Sequence, residues 1–261
     1  MMGVIGGTGL NRMMGLTDIE EVAVQTPYDS KPVSISCGHF AGNRLAFLPR
    51  HGKGHVVPPH RINYRANMQA LHQLGCQAVI AVNAVGGIDP VLVPGAIAIP
   101  EQIIDYTWGR EHTFFDGQNG QVEHIDFTAP YDASLRQLLI ASAQREARLQ
   151  LLARGVYACT QGPRLESMAE VQRLQRDGCD MVGMTGMPEA ALARELGLPY
   201  ACIALSVNLA AGLGEEVITM AAITAVLNSG MQRVLHILAR VIIEWGQQRE
   251  QNQAVEAGTA Q

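Results

Sequence analysis

The sequence predicts an α/β fold, and three observations predict it. Short apolar runs bounded by glycine recur along the chain, stretches of helical period lie between them, and 27 of the 261 residues are glycine, more than average usage gives. Strands that alternate with helices imply a mainly parallel sheet covered on both faces. With 48% hydrophobic residues the chain is within reach of a single large domain, placed over residues 1–250. The tail at 251–261 is small, polar and without an apolar face, so it is expected to be disordered.

The apolar runs place strands at 44–48, 78–82, 95–99, 156–160, 181–183 and 199–205. Helical periodicity places helices at 63–74, 133–152, 166–176, 188–196 and about 217–248. The stretch 106–131, rich in Asp, His, Gly and aromatics, has no period and is a long loop of the kind that is usually functional. Ligands of such sheets gather at the carboxyl ends of strands. The unusual residues stand there: Gly6-Gly7-Thr8-Gly9, Pro49-Arg50-His51-Gly52, Asn83-Ala84-Val85-Gly86-Gly87, the run from Gly162 to Glu166, Met184-Thr185, and Asn208.

Composition excludes several classes. A net charge of −5 with no concentration of Lys and Arg argues against polymeric nucleic acid as a partner. Five cysteines, none at CxxC spacing, fit reduced thiols in a cytoplasmic protein and not a zinc site. His51 and His55 have neither an HExxH context nor a thiolate partner, so no metal is expected. No export signal is expected, and no apolar run reaches the length of a membrane span.

Taken singly, each motif has a bland reading. Gly6-Gly7-Thr8-Gly9 offers amides and a hydroxyl to a phosphate, yet it is neither GxGxxG nor a P-loop, and alone it is a tight turn. Arg50 with His51 and His55 suits an oxyanion or makes a solvated basic loop. Thr185 alone is a helix cap, Glu166 a first-turn charge and Asn208 a turn residue. Their number and their shared strand-end placement weigh against coincidence.

Together, the segments GGTGL, LPRHGKGHVVPPHRINYRAN, NAVGG, TQGPRLES and GCDMVGMTGMPEAALARELGLPYACIALSVN resemble the trimeric nucleoside phosphorylases, the family that includes methylthioadenosine phosphorylase and 6-oxopurine nucleoside phosphorylase. The resemblance covers roughly residues 3–245 and implies a single domain with a mixed, partly barrel-like central sheet flanked by helices. It implies a homotrimer in which a neighbouring subunit's loop, carrying His124, closes the site. Phosphate is implied at Thr8, Arg50, His51, Asn83, Ala84 and Thr185, and the ribose at Met184. The base is implied near Val85, Gly86, Leu165, Glu166, Val182 and Asn208, with Asn208 and His51 in catalytic roles. Inorganic phosphate is then a co-substrate, and no cofactor is expected.

The chain departs from the methylthioadenosine branch at the base, where that branch has Asp-x-Asp and Ser while this sequence has Asn208, Ala210 and Glu166. A 6-oxopurine offers acceptors at O6 and N7 and a donor at N1; a carboxamide NH2 and a carboxylate match them, whereas adenine reverses the pattern at C6 and N1. Leaving buried polar groups unpaired discriminates by roughly 10⁴-fold. At the sugar end, nucleoside-specific members place a histidine before a Glu-Glu pair, and here Gly214 precedes Glu215-Glu216. Met220 and Ile223 fall where the methylthioadenosine branch lines an apolar pocket for the 5′ group. The expectation is therefore phosphorolysis of methylthioinosine to hypoxanthine and 5-methylthioribose 1-phosphate, in purine salvage. The rivals are a general 6-oxopurine nucleoside phosphorylase acting on inosine or guanosine, a methylthioadenosine phosphorylase, a hydrolytic nucleosidase and a nucleoside-binding sensor without chemistry.

Overall fold

A computed structural model describes residues 1–10, 12–117, 120–215 and 217–259. Its sheet is organised around β5 (Ala78–Gly87), whose first eight residues are apolar or sit within the sheet on both faces, as a central strand requires. Along one edge β5 pairs in parallel with β1 (Met2–Gly6), and its last two residues then meet β10 (Met181–Gly183) in antiparallel. The other edge pairs in parallel with β11 (Tyr200–Leu209). Beyond β1 the order continues through β4 (Asn43–Pro49), β3 (Val33–Phe40) and β2 (Thr17–Val24). Beyond β10 come β9 (Val156–Cys159) and β7 (Gln102–Asp105), while the two-residue strand β6 (Ile97–Ala98) pairs with β11 and the two-residue strand β8 (Leu151–Leu152) with β6. The sheet is mixed, as the family resemblance implies, and less parallel than the strand-helix alternation alone suggested.

Helices cover both faces. α1 (Tyr64–Gln73) and α4 (Glu189–Glu195) pack on one core with Ile5, Val79 and Ala81. α2 (Ala133–Ala143) and α5 (Met220–Thr259) pack on the other with Val4, Ile80 and Val82. The alternation of β1 and β5 side chains between the two cores is the period-two rule of a pleated strand. α3 (Met168–Arg176) lies on a smaller cluster with Ala158 and Val182.

Four expectations change. Residues 133–152 are not one helix: α2 stops at Ala143, Arg148 takes a φ of 57°, and Leu151–Leu152 pairs with β6, so sheet pairing overrides helical periodicity. The strands β2, β3 and β7 were not anticipated; in β2 the run Asp18, Glu20 and Glu21 conceals an exposed edge. Asn83-Ala84-Val85-Gly86-Gly87 is strand rather than turn. The last helix spans Met220–Thr259 and so extends beyond the end expected near 248. The stretch 106–131 has no helix or strand among its described residues, Gln118 and Asn119 lying outside them.

Candidate active site

The carboxyl ends of β1, β4, β10 and β11 and the last residues of β5 open on one cavity of about 550 Å³. β1 and β4 run in parallel register with Gly6 opposite Pro49, so Gly7-Thr8 and Arg50-His51 leave the sheet side by side. A Cβ at Gly7 would lie 2.6 Å from the Val82 carbonyl oxygen and 2.8 Å from Arg50 Nη1, so only glycine lets the turn and the guanidinium approach.

Arg50 is buried and held from several sides. Nε and Nη2 donate to the Glu189 carboxylate at 2.7 and 2.8 Å, Nη2 also donates to Asn83 Oδ1 at 3.3 Å, and Nη1 donates to the Val82 carbonyl at 3.0 Å. The Tyr200 hydroxyl donates to Glu189 Oε1 at 2.8 Å. Burial opposes the charge on Arg50, but the Glu189 carboxylate outweighs it and holds the guanidinium above its ordinary pKa. The result is a fixed cation with one Nη1 proton left for the turn that carries Thr8.

His51 Nδ1 lies 2.8 Å from the Val57 carbonyl, which can only accept, so Nδ1 bears the proton and Nε2 is left as an acceptor. Burial, with the neighbouring Arg50 charge, pushes the His51 pKa down to about 4. Thr8 Oγ1 lies 3.0 Å from His55 Nε2, and the His55 ring lies 4.3 Å from that of His51. Thr185 Oγ1 accepts from Asn83 Nδ2 at 2.9 Å and so keeps its own proton for the cavity. Asn83 itself, expected as a phosphate ligand, does not line the cavity. Its amide is committed to Thr185, Tyr157, Arg50 and the Cys202 thiol, so it braces Arg50 and Thr185 from behind.

The opposite end carries Glu166 and Asn208. A bulge between Ser206 and Asn208 inserts an extra residue into β11, and both Val207 and Asn208 then face the cavity. Asn208 Nδ2 donates to the Leu209 carbonyl at 2.7 Å, which leaves one amide proton and Oδ1 free. Glu166 precedes α3 instead of lying in its first turn: Ser167 is the N-cap, in a capping box with Glu170. Its Oε1 accepts the Thr160 hydroxyl at 2.6 Å. Val85, Gly86, Leu165, Val182, Ala84 and Met184 line the same cavity, with Gly86 close to Val182 and to Asn208 Nδ2. Met220 and Ile223 join Ile218 in an apolar third wall. His124 is exposed and does not line this cavity, and Glu216 lies outside the described residues.

The Phosphorylase superfamily model matches residues 2–243. The chain belongs to the phosphorylase superfamily. It is 54% identical to a probable S-methyl-5′-thioinosine phosphorylase from Pseudomonas syringae pv. tomato, over 92% of this chain and 97% of that protein. It is 41% identical to the 6-oxopurine nucleoside phosphorylase of Pyrococcus furiosus, over 92% and 91%. The structure of methylthioadenosine phosphorylase from Schistosoma mansoni in complex with adenine superposes with a TM-score of 0.87 at 31% identity, covering 99% of this chain and 96% of that one. The protein is an enzyme of the phosphorylase type, and its single α/β domain matches the fold of these neighbours.

Within this phosphorylase fold, several residues that order the site escaped sequence reasoning. Arg110, from the long loop, is buried and donates to the carbonyls of Thr160, Gln161, Met184 and Met187, to Gln161 Oε1 and to the Tyr64 hydroxyl. It thereby ties the segment before Glu166 to the segment that carries Met184 and Thr185. Glu189 and Tyr200 were missed because nothing local marks a helix-start glutamate or a strand tyrosine as partners of Arg50. Val56, Val57, Pro58 and Pro59 also line the cavity, and their signal was available in the unbroken motif that begins at Leu48.

Removing one partner of the buried pair strands the other. Glu189→Ala is expected to lower unfolding free energy by about 3–5 kcal/mol in chemical denaturation, and an unchanged midpoint would show the pair to be idle. His51 gives a pH signature: its ordinary pKa is 6.5 and its folded value about 4, so on acidification the unfolded chain takes the proton first. Stability should fall as pH drops from about 6.5 to about 4. Thermal melts of wild type and His51→Gln over that window should differ in slope, with the variant flatter.

Proposed function

We propose that the protein catalyses phosphorolysis of S-methyl-5′-thioinosine, releasing hypoxanthine and 5-methylthioribose 1-phosphate for purine salvage. The observation that carries this reading is the division of one cavity into three chemistries: a fixed cation with hydroxyls at one end, a carboxylate and a carboxamide at the other, and an apolar wall between the sheet and the solvent. Monohydrogen phosphate meets Arg50 Nη1 and the hydroxyls of Thr8 and Thr185, and its single hydroxyl donates a hydrogen bond to the neutral His51 at Nε2. A phosphate oxygen forms the bond to C1′ as the C1′–N9 bond breaks, and the electron pair moves into the purine. The remaining Asn208 N–H stabilises that charge at N7 or O6, Glu166 accepts from N1–H, and the proton given up by phosphate ends on the base. No cofactor is required by this balance.

The apolar wall favours methylthio over hydroxyl. Such a pocket rejects a hydroxyl by only about 10²-fold, so inosine and guanosine remain slow substrates. Relatives at 54% and 41% identity bear names for both activities, which supports the same order of preference and the stated alternative. The cavity mouth is rimmed by exposed apolar side chains, Val56 at 75%, Met220 at 68% and Leu165 at 45% exposure. A homotrimer, with a neighbour's His124 loop laid across this rim, would cover them. Five buried free thiols support a cytoplasmic setting, and no helix among the described residues is long and apolar enough to cross a membrane.

Parallel assays of methylthioinosine, inosine and methylthioadenosine, each with and without phosphate, test the proposal. The expected order in kcat/KM is methylthioinosine, then inosine, then methylthioadenosine, with no turnover when phosphate is omitted. Turnover in water alone would point to a hydrolase, and binding without turnover to a sensor. Asn208→Ala should lower kcat about 10²–10³-fold, and an unaltered kcat would reject its role.

A further inference from the structure

The anion end described above gives no role to His55, although His55 lines the same cavity. His55 closes a tight loop that follows β4. The His51 carbonyl accepts the N–H groups of Val56 and Val57 at 3.1 and 2.9 Å, and the His55 N–H donates to the Gly52 carbonyl at 3.1 Å. At the tip of the loop Lys53 Nζ donates to Glu21 Oε2 at 3.0 Å, and the Glu21 carboxylate also accepts the hydroxyls of Ser34 and Ser36 from β3. Gly52 and Gly54 take φ of 73° and 85°, and His55 takes 57°. Glycine adopts that region freely, whereas a histidine there is strained and persists only where its surroundings hold it. The strained turn achieves a placement. The His55 ring lies 4.3 Å from that of His51, and its Nε2 reaches from the loop after β4 to Thr8 Oγ1 in the loop after β1, at 3.0 Å.

The direction of that hydrogen bond decides what Thr8 can offer. A hydroxyl has a single proton. If Thr8 spends it on His55, only lone pairs remain for a dianion; if His55 Nε2–H is the donor, the threonine proton is left for the anion. The exposed ring makes no second hydrogen bond among the described residues, so the Nε2–H form is open to it. We propose that His55 is a positioning residue for the phosphate: its Nε2–H holds Thr8 Oγ1 so that the threonine proton points at the anion. This rests on the phosphorolysis reading above. Losing one such hydrogen bond weakens anion binding about fivefold.

The test measures kcat and the KM values for phosphate and methylthioinosine in wild type, His55→Ala, His55→Gln, Thr8→Val and the double variant His55→Ala/Thr8→Val, with circular dichroism to establish folding. His55→Ala should raise the phosphate KM about fivefold and leave the methylthioinosine KM within about twofold of wild type. His55→Gln, which supplies an amide N–H at similar reach, should recover most of that loss. In the Thr8→Val background His55→Ala should cost nothing more, because the oxygen it holds is gone. An unaltered or lowered phosphate KM in folded His55→Ala overturns the proposal, the lowered value meaning that His55 masks Thr8. An equal loss with and without the Thr8 hydroxyl overturns it too, since His55 would then act by another route. Wild-type turnover that does not depend on phosphate would instead overturn the phosphorolysis reading beneath it, so the two failures are distinct.

Discussion

The site depends on the buried pairing of Arg50 with Glu189. Taking two charges out of water is costly, and such pairs add little net stability compared with apolar packing. What this one supplies is position. Arg50 follows β4, Glu189 begins α4, Tyr200 begins β11 and Asn83 stands within β5, so one hydrogen-bonded cluster ties four elements to a single guanidinium orientation. Through Asn83 the same cluster reaches the Thr185 hydroxyl. Donors set in this way need no reorganisation when charge arrives, which is the most effective form of electrostatic catalysis.

The remainder of the cavity illustrates why the two ends of a ligand are read with different stringency. Glu166 and Asn208 are polar groups whose partners must match, since a mismatch leaves a half-buried donor or acceptor without a partner. Ile218, Met220 and Ile223 ask only for an apolar group and tolerate a poorer one. In the proposed reaction, selection for the base is accordingly sharper than selection for the 5′ substituent. Neither end is set by its contact residues alone: Thr160 fixes the carboxylate, the Leu209 carbonyl takes one amide proton of Asn208, and Arg110 joins the two loops that carry the base and sugar walls.

Most of the cavity lining was legible in the sequence because it sits in short contiguous segments at strand ends, where glycine beside polar residues is conspicuous. The strands of the two-sided core were legible for the same reason: continuous apolar runs such as 78–82 have few alternative explanations. The supporting layer was not. Arg50 and Glu189 are 139 positions apart, and the Arg110 contacts span 46 to 77, separations at which no local pattern reports a hydrogen bond. Asn83 was placed on the phosphate by the family resemblance, and its amide is engaged by Arg50 and Thr185 behind the cavity lining, a contact no local pattern reports. The bulge that aims Asn208 and the strand that interrupts the helix expected at 133–152 are tertiary pairings of the same kind.

The most direct measurement is a crystal structure with phosphate and methylthioinosine, or a slowly cleaved analogue, bound together. The account predicts the anion within hydrogen-bond distance of Arg50 Nη1, Thr8 and Thr185, with Asn83 behind it and not in contact. It predicts N7 or O6 at Asn208, N1 at Glu166 and the methylthio group against Met220 and Ile223. An anion held elsewhere, or a purine turned so that its sugar points toward Glu166, would contradict it.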